Sequence, residues 1–120
     1  MIEIKKDQKN RTIEFHIDGK ITQDDYEKVY AATEELIAEH DKIKILKHVG
    51  EFSGITETNM LDNMKKGFSY FNNIERAALV TDMDWAAWLT NALDPFFPMK
   101  MKAFSGNELD AARVWLQSGE

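Results

Sequence analysis

Aromatic and aliphatic side chains with helical spacing are the most distinctive candidates for function in this sequence. Trp85, Trp88 and Leu89 recur at intervals of three and four residues, which places them on one face of a helix. Such a stripe either packs as ordinary core or lines a pocket for an apolar ligand, in which each buried methylene contributes about 0.8 kcal/mol. The complete set of candidate lining residues is Phe68, Phe71, Trp85, Trp88, Leu89, Phe96 and Phe97.

Hydroxyl side chains precede the predicted second helix. Ser53, Thr56 and Thr58 are suited to N-cap positions, where a side-chain oxygen accepts a hydrogen bond from a free backbone N–H. A phosphate on Ser53 would also be favourable there, because the N–H groups and dipole of a helix N-terminus attract negative charge. Helix capping and phosphorylation of Ser53 are the two interpretations of this segment.

Carboxylates and imidazoles are weaker candidates for catalysis or metal binding. Asp82 and Asp84 lie where a predicted strand meets a helix, so they could act as an acid–base pair or hold a hard metal ion, although N-capping and the helix dipole explain both. His16, His40 and His48 are far apart in sequence and lack the spacing of metal ligands. Neither a G-x-S-x-G nor a G-x-x-x-x-G-K-[ST] motif occurs. We therefore expect no catalytic residues, no metal site and no cofactor.

Length and composition predict one domain covering residues 1–120. The chain has no cysteine and a net charge of −6, which excludes disulfides and disfavours binding to nucleic acid. The N-terminus does not resemble a signal peptide, and no apolar run reaches the roughly 18 residues that a membrane span needs. A cytoplasmic location is the expectation.

Hydrophobic periodicity predicts the elements that would position these side chains. Residues 12–17 alternate apolar and polar, so they form a strand, with a break at Asp18-Gly19. Two capping boxes, Thr22 to Asp25 and Ser105 to Glu108, mark helix starts. A third helix, here called the Trp helix (residues 83–94), would follow Asp82 and end at Pro95. The remaining predicted strands cover 2–5, 43–49, 77–80 and 99–104, and the second helix starts at Thr56 or Thr58.

The resulting order is β-β-α-β-α-β-α-β-α, which predicts an α/β sandwich with a mixed, mostly parallel sheet. The first two strands would form an antiparallel hairpin, and helices between later strands require parallel crossovers. The lysines of residues 99–104 favour an edge position for the last strand. An exposed edge or an aromatic patch could support a homodimer.

Short segments along the whole chain form a pattern of defined order and spacing. They are Gly19-Lys20-Ile21-Thr22 with Asp25-Tyr26, then Phe52 and Gly54, then Asp62, Lys65 and Gly67-Phe68, then Glu75-Arg76-Ala77-Ala78-Leu79-Val80, then Asp82 with Trp85, Pro95-Phe96 and Phe104, and finally Ala111-Ala112 with Trp115-Leu116. With this pattern the chain resembles the SpoIIAA-like branch of the STAS-domain superfamily.

The resemblance implies a STAS-like fold in a small cytoplasmic bacterial protein. Relatives of this kind include anti-sigma-factor antagonists, which are switched by phosphorylation of a serine at the start of the second helix. Their loop reads Asp-Ser-x-Gly or close to it, whereas this chain has Glu51-Phe52-Ser53-Gly54. The more similar branch is associated with a hydrophobic interior between the second and third helices, proposed to hold nonpolar ligands or to meet membranes.

The sequence therefore supports three functional hypotheses. The first is a non-enzymatic domain that binds a nonpolar small molecule or lipid in an apolar pocket between the predicted second and third helices, with peripheral membrane contact as an extension. The second is a regulatory protein-interaction module of the anti-sigma-factor-antagonist type, which would use the Ser53 loop and the second helix. The third, a catalytic domain that uses Asp82 and Asp84, has the least support.

Overall fold

The computed structural model describes residues 1–55, 60–82 and 99–118. Within these residues, five strands form one sheet with the order β1-β2-β3-β4-β5. The strands are β1 (Ile2–Asp7), β2 (Thr12–Ile21), β3 (Ile43–Ile55), β4 (Ile74–Thr81) and β5 (Lys100–Phe104). The helices are α1 (Gln23–His40), α2 (Met60–Phe68) and α3 (Leu109–Gln117), with a 3₁₀ turn at Phe71–Asn73. The predicted Trp helix lies outside the described residues.

The sheet is mixed, as predicted. Strand β1 pairs antiparallel with β2, and the pairs β2–β3, β3–β4 and β4–β5 are parallel. The hairpin strand β1 forms one edge of the sheet and β5 forms the other. This arrangement confirms the α/β class and the antiparallel start of the chain.

Each face of the sheet has its own buried cluster, because successive side chains of a strand point to opposite faces. Helix α1 covers the first face, here called the α1 face, and helix α3 covers the second, the α3 face. The α1-face cluster is Ile13, Phe15, Ala32, Leu36, Ile43, Ile45, Ile74 and Met99. The α3-face cluster is Leu46, Ala78, Val80, Phe104, Ala112 and Leu116. No helix among the described residues is long and apolar enough to cross a membrane.

The start of α1 is the capping box that the sequence predicts. The Thr22 hydroxyl oxygen accepts from the Asp25 backbone N–H at 3.2 Å, and the Asp25 carboxylate accepts from the Thr22 N–H at 2.9 Å. These bonds satisfy two donors at the helix start. The Thr22 bonds lower the pKa of the Asp25 carboxyl, chiefly through its backbone N–H. The helix ends at His40, after which Asp41 has a φ of 65°.

Strands β2 and β3 are longer than predicted, because two glycine-containing segments pair with each other. We expected a break at Asp18-Gly19 and a loop at residues 50–54. Instead β2 continues to Ile21 and β3 to Ile55, with register shifts around Gly19, whose φ is 73°. Glycine accommodates this conformation at little steric cost. Ser53 consequently lies in a strand, seven positions before Met60 at the described start of α2.

The second predicted capping box forms only in part. The Glu108 carboxylate accepts from the Ser105 backbone N–H at 2.8 Å and from its hydroxyl at 2.7 Å. The Ser105 hydroxyl therefore donates to Glu108 and does not cap the helix, and Glu108 is the N-cap residue of α3 without a side-chain cap. The prediction of a reciprocal box is wrong at this position.

Replacement of the α1 cap is expected to destabilise the fold. Thr22→Ala removes the acceptor for the Asp25 N–H and should lower the free energy of unfolding by about 1 kcal/mol. Urea denaturation followed by circular dichroism measures this change. Thr22→Ser retains the hydroxyl and is the matched control, with a change of only a few tenths of a kcal/mol expected. Equal destabilisation by both variants would contradict the capping role.

Candidate functional site

An apolar cavity of about 330 Å³ lies on the α1 face of the sheet. Its floor is formed by side chains of the four neighbouring strands β2 to β5, among them Phe15, Ile45, Leu79 and Met101. These side chains are apolar, and Phe15 and Ile45 are buried. The floor therefore offers a continuous surface to an apolar molecule.

Helices α1 and α2 and the turn after α2 form the walls. Val29 and Tyr30 come from α1, Gly67 from α2, and Tyr70 and Phe71 from the segment that follows. The rings of Tyr30 and Tyr70 lie 6.3 Å apart. Burial raises the pKa of both phenols, so they remain neutral hydrogen-bond donors.

Polar contacts hold α2 against α1. The Tyr30 hydroxyl donates to the Asn63 side-chain oxygen at 2.5 Å, and the Asn63 amide donates to Gln23 at 3.0 Å. The Tyr70 hydroxyl donates to Glu34 at 2.7 Å and is the largest cause of the lowered pKa of that carboxyl. Because Asn63 is buried, loss of its partners would leave unsatisfied polar groups. We call these contacts the α1–α2 clamp.

Besides Lys102 on β5, one cationic side chain lines the cavity among the apolar residues of the floor, namely Lys47. Its neighbours across the sheet are Phe15 on β2 and Leu79 on β4. Burial lowers the pKa of the Lys47 ammonium group, because the surrounding protein disfavours the charged form. By accessible surface the Lys47 side chain is nevertheless exposed, since it lines the open cavity and not a packed part of the core.

The predicted lining residues fall into three groups. Phe71 lines the cavity. Phe68 is 52% exposed and packs edge-on against Phe71, with ring centroids 5.1 Å apart, but it does not line the cavity. The other predicted lining residues, Trp85, Trp88, Leu89, Phe96 and Phe97, lie outside the described residues.

The other candidate residues are dispersed. Ser53 lies in β3, and Thr56, Thr58 and Asp84 lie outside the described residues. The Asp82 carboxylate accepts a hydrogen bond from the Gly106 backbone N–H at 2.7 Å, which ties the end of β4 to the loop before α3. In the part of the chain that the structure describes, no group of three or more His, Asp or Glu side chains is arranged to hold a metal ion.

A polar cluster on the α3 face brings together residues that are distant in sequence. His16 Nδ1 lies 3.0 Å from His48 Nδ1, and His16 Nε2 lies 2.9 Å from Glu14 Oε1. Arg113 donates two hydrogen bonds to Glu14, at 2.8 and 2.9 Å, and these bonds are the main cause of the lowered pKa of that carboxyl. Because Glu14 is ionised, we assign His16 Nε2–H as the donor to it, and one of the two Nδ1 atoms then donates to the other.

The unusual position of Lys47 could have been recognised from the sequence, but the pairing of His16 with His48 could not. In β3, Ile43, Ile45 and Val49 alternate with residues of the other face, and Lys47 stands where this alternation requires an apolar side chain. His16 and His48 are direct partners across the parallel β2–β3 pair. That register is not determined by the local sequence of either strand, so the pair could not be inferred.

A second, more polar depression of about 240 Å³ lies between β1, β2 and α3. Its lining includes Thr12, Glu14, Arg113 and Gln117. These groups already bond to one another, since Arg113 binds Glu14 and the Gln117 amide donates to Thr12 at 2.8 Å. The apolar cavity is therefore the stronger candidate for a binding site.

A mixed five-stranded α/β domain with an apolar cavity under its first helices is the class that the fold and the site define. Residues 12–117 match the family described as SpoIIAA-like, so the chain belongs to the SpoIIAA-like family. Comparison with curated proteins finds no match.

Solved structures with a similar fold include one from Shewanella loihica and two of SpoIIAA. An uncharacterized protein with a SpoIIAA-like fold from Shewanella loihica is 25% identical, with a TM-score of 0.75 over 97% of this chain and 92% of its own. The anti-sigma factor antagonist SpoIIAA in its unphosphorylated form is 14% identical, with a TM-score of 0.55 over 94% of this chain and 98% of its own. The phosphorylated Bacillus cell fate determinant SpoIIAA is 12% identical, with a TM-score of 0.54 over 95% and 99%. The two SpoIIAA structures establish the shared fold.

The histidine pair should make stability depend on pH. Burial and the nearby positive charges of His16 and Arg113 lower the pKa of His48, with burial the largest cause and with Glu14 and Asp82 opposing the shift. The unfolded chain therefore binds this proton more readily than the folded protein. Neutral His48 therefore contributes to the free energy of unfolding in full above about pH 6.5, the ordinary pKa of histidine. This contribution is lost as the pH falls toward the lowered pKa of His48 in the folded protein.

We expect the free energy of unfolding to fall between pH 7 and pH 5, and to fall less steeply in His48→Gln. Urea denaturation at each pH measures the slope. His40→Gln, at the end of α1 and outside the cluster, is the matched control and should retain the wild-type slope. A His48→Gln slope equal to that of the wild type would contradict this account.

Proposed function

We propose that this SpoIIAA-like domain is a non-catalytic binding protein that holds a nonpolar small molecule or lipid in the apolar cavity. The observation that carries the proposal is the cavity of about 330 Å³ on the α1 face. Ligand pockets commonly measure roughly 300 to 1,000 Å³ and are lined mainly by apolar and aromatic side chains. A cavity of this size and lining is suited to one slender apolar molecule.

The energetics of the proposal are sufficient for a modest affinity. Burial of ten methylene groups contributes about 8 kcal/mol before the costs of association are subtracted. A gross free energy of that size corresponds to a dissociation constant of about 1 μM. The costs of association make the actual binding weaker than this limit. The apolar chain alone therefore supports reversible carriage.

Access to the cavity is proposed to occur on the side of α2 that faces away from α1. The α1–α2 clamp opposes separation of those two helices. In this proposal the Trp helix moves relative to α2, with Pro95 and Pro98 near the hinge. Trp85, Trp88, Leu89, Phe96 and Phe97 would complete the lining beside Phe71, with Phe68 at its margin. In this proposal the protein contacts a membrane surface, from which it takes the ligand or to which it delivers it.

Filling the cavity should weaken ligand binding strongly without unfolding the protein. Ala77 is a small, half-buried lining residue on β4, so Ala77→Phe places a ring in the ligand's space. We expect at least a tenfold loss of decanol affinity, measured by isothermal titration calorimetry, with native mass spectrometry as an independent readout. Val114→Phe adds the same ring to an exposed position on α3 and is the matched control.

Unchanged decanol binding by a folded Ala77→Phe protein would contradict the assignment of the cavity as the binding site. Thermal unfolding of both variants, each in the absence of ligand, separates a loss of binding from a loss of structure.

The second candidate function is a regulatory protein-interaction module. Its supporting observation is that Leu61 and Phe68, seven residues apart on α2, are 60% and 52% exposed. Residues at this spacing lie on one face of a helix, so a partner protein could bind them together with the Ser53 segment. The anti-sigma-factor antagonist SpoIIAA, which shares the fold, provides the precedent for such a role.

This second function is tested by capture of proteins from a bacterial extract on the immobilised domain. A specific partner should be lost with Leu61→Asp, altered by Ser53→Asp and retained with Ala77→Phe. A partner that Leu61→Asp and Ser53→Asp leave fully bound would contradict the role of α2 and Ser53. A partner lost only with Ala77→Phe would point instead to the cavity.

A further inference from the structure

Lys47 occupies a position at which the fold otherwise places an apolar side chain. It lies on β3, the central strand of the five-stranded sheet, between Phe15 and Leu79 on the adjoining strands. Ile45, two residues earlier on the same face, is buried. A lysine at the middle of such a surface does not contribute to a packed core.

The ammonium group of Lys47 has no partner in the described ranges 1–55, 60–82 and 99–118. No hydrogen bond or ion pair within these ranges involves it, and its lowered pKa is caused by burial alone. An ammonium group without a partner beside apolar surface is less well solvated than one in bulk water, which disfavours its charged form. This penalty would be offset if an anion entered the cavity.

Lys44 on the same strand shows how this protein pairs a buried lysine. Its side chain is directed to the α3 face, where the ammonium group donates to Gln117 at 3.0 Å and lies 3.8 Å from a Glu75 carboxylate oxygen. Both lysines belong to one strand, but Lys44 is buried and has protein partners, whereas Lys47 is exposed at the cavity and has none in the described ranges. The partner that is provided for Lys44 by the chain is left open for Lys47.

We propose that Lys47 binds the anionic head of the ligand, so that the cavity accepts a carboxylate-bearing amphiphile with its tail along the apolar floor. This inference rests on the proposed function and specifies its ligand class. A carboxylate is a suitable partner because a charge-assisted hydrogen bond to an ammonium group is short and strong. Phe15 and Leu79 flank Lys47 on the adjoining strands, and with Met101 they supply the apolar lining for the first carbons of the tail.

Calorimetric titration with decanoate and with decanol at pH 7 tests the inference, because the two probes share a ten-carbon tail and differ in the head. Wild-type protein should bind decanoate at least tenfold more tightly than decanol. Lys47→Met, which replaces the charge with a flexible apolar side chain, should weaken decanoate binding by about 10- to 100-fold and leave decanol binding within a factor of three. Lys100→Met, at an exposed position on β5, should change neither affinity.

The outcomes separate this inference from the proposed function. Equal binding of decanoate and decanol by the wild type, or equal loss of both in Lys47→Met, would overturn the role of Lys47 while the cavity remained a binding site. Failure of the wild type to bind either probe would overturn both proposals. The wild-type comparison does not depend on the folding of any variant, and Lys47→Arg, which keeps the charge, should retain the preference for decanoate.

Discussion

The parallel pairing of β2 with β3 is the constraint on which the rest of this structure depends. One register places Phe15 beside Lys47 on the α1 face and, a residue later, His16 beside His48 on the α3 face. Because side chains alternate between faces, a slip of one residue would exchange the two sets and expose the apolar one. The cavity floor and the polar cluster are therefore two consequences of the same set of backbone hydrogen bonds.

The two faces of the sheet differ in whether their charged side chains have partners within the protein. Among the described residues of the α3 face, the buried charges Lys44 and Arg76 have protein partners. The Arg76 guanidinium donates to the Trp115 carbonyl at 2.9 Å and lies over the Trp115 ring, and Glu14 is bound by Arg113. On the α1 face the buried cluster is apolar, and Lys47 lines the cavity beside it with an exposed side chain. In the part of the chain that the structure describes, the α3 face thus pairs its buried charges, whereas the α1 face contains a cavity.

Much of the fold follows from short-range rules in the sequence. Alternation gave the strands around Ile13 and Phe15, and the Thr22 capping box gave the start of α1. Longer-range effects could not be predicted in this way. Residues 50–54 contain two glycines and resemble a loop, yet they remain extended because the end of β2 supplies their hydrogen-bond partners. Local composition does not contain that information.

The candidate site was predictable to a similar extent. Phe71 was identified because helical periodicity continued from α2, and it lines the cavity. Phe68 belongs to the same stripe but is half exposed, because the turn after α2 redirects the chain between the two rings. The interruption of strand alternation at Lys47 was present in the sequence. Its meaning depends on the unpaired environment, which only the three-dimensional arrangement defines.

The contacts that close the α3 face join parts of the chain that are made at very different times. Glu14 and Arg113 are 99 residues apart, and Thr12 and Gln117 are 105 apart. On the ribosome, β2 and β3 emerge long before α3, so Leu46 and its neighbours on that face stay in contact with water until the helix is released. Closure of such distant contacts is also slow in a complete chain. A nascent or truncated chain without α3 thus exposes an apolar sheet surface. Such a chain is prone to aggregation and is a substrate for chaperones until α3 packs.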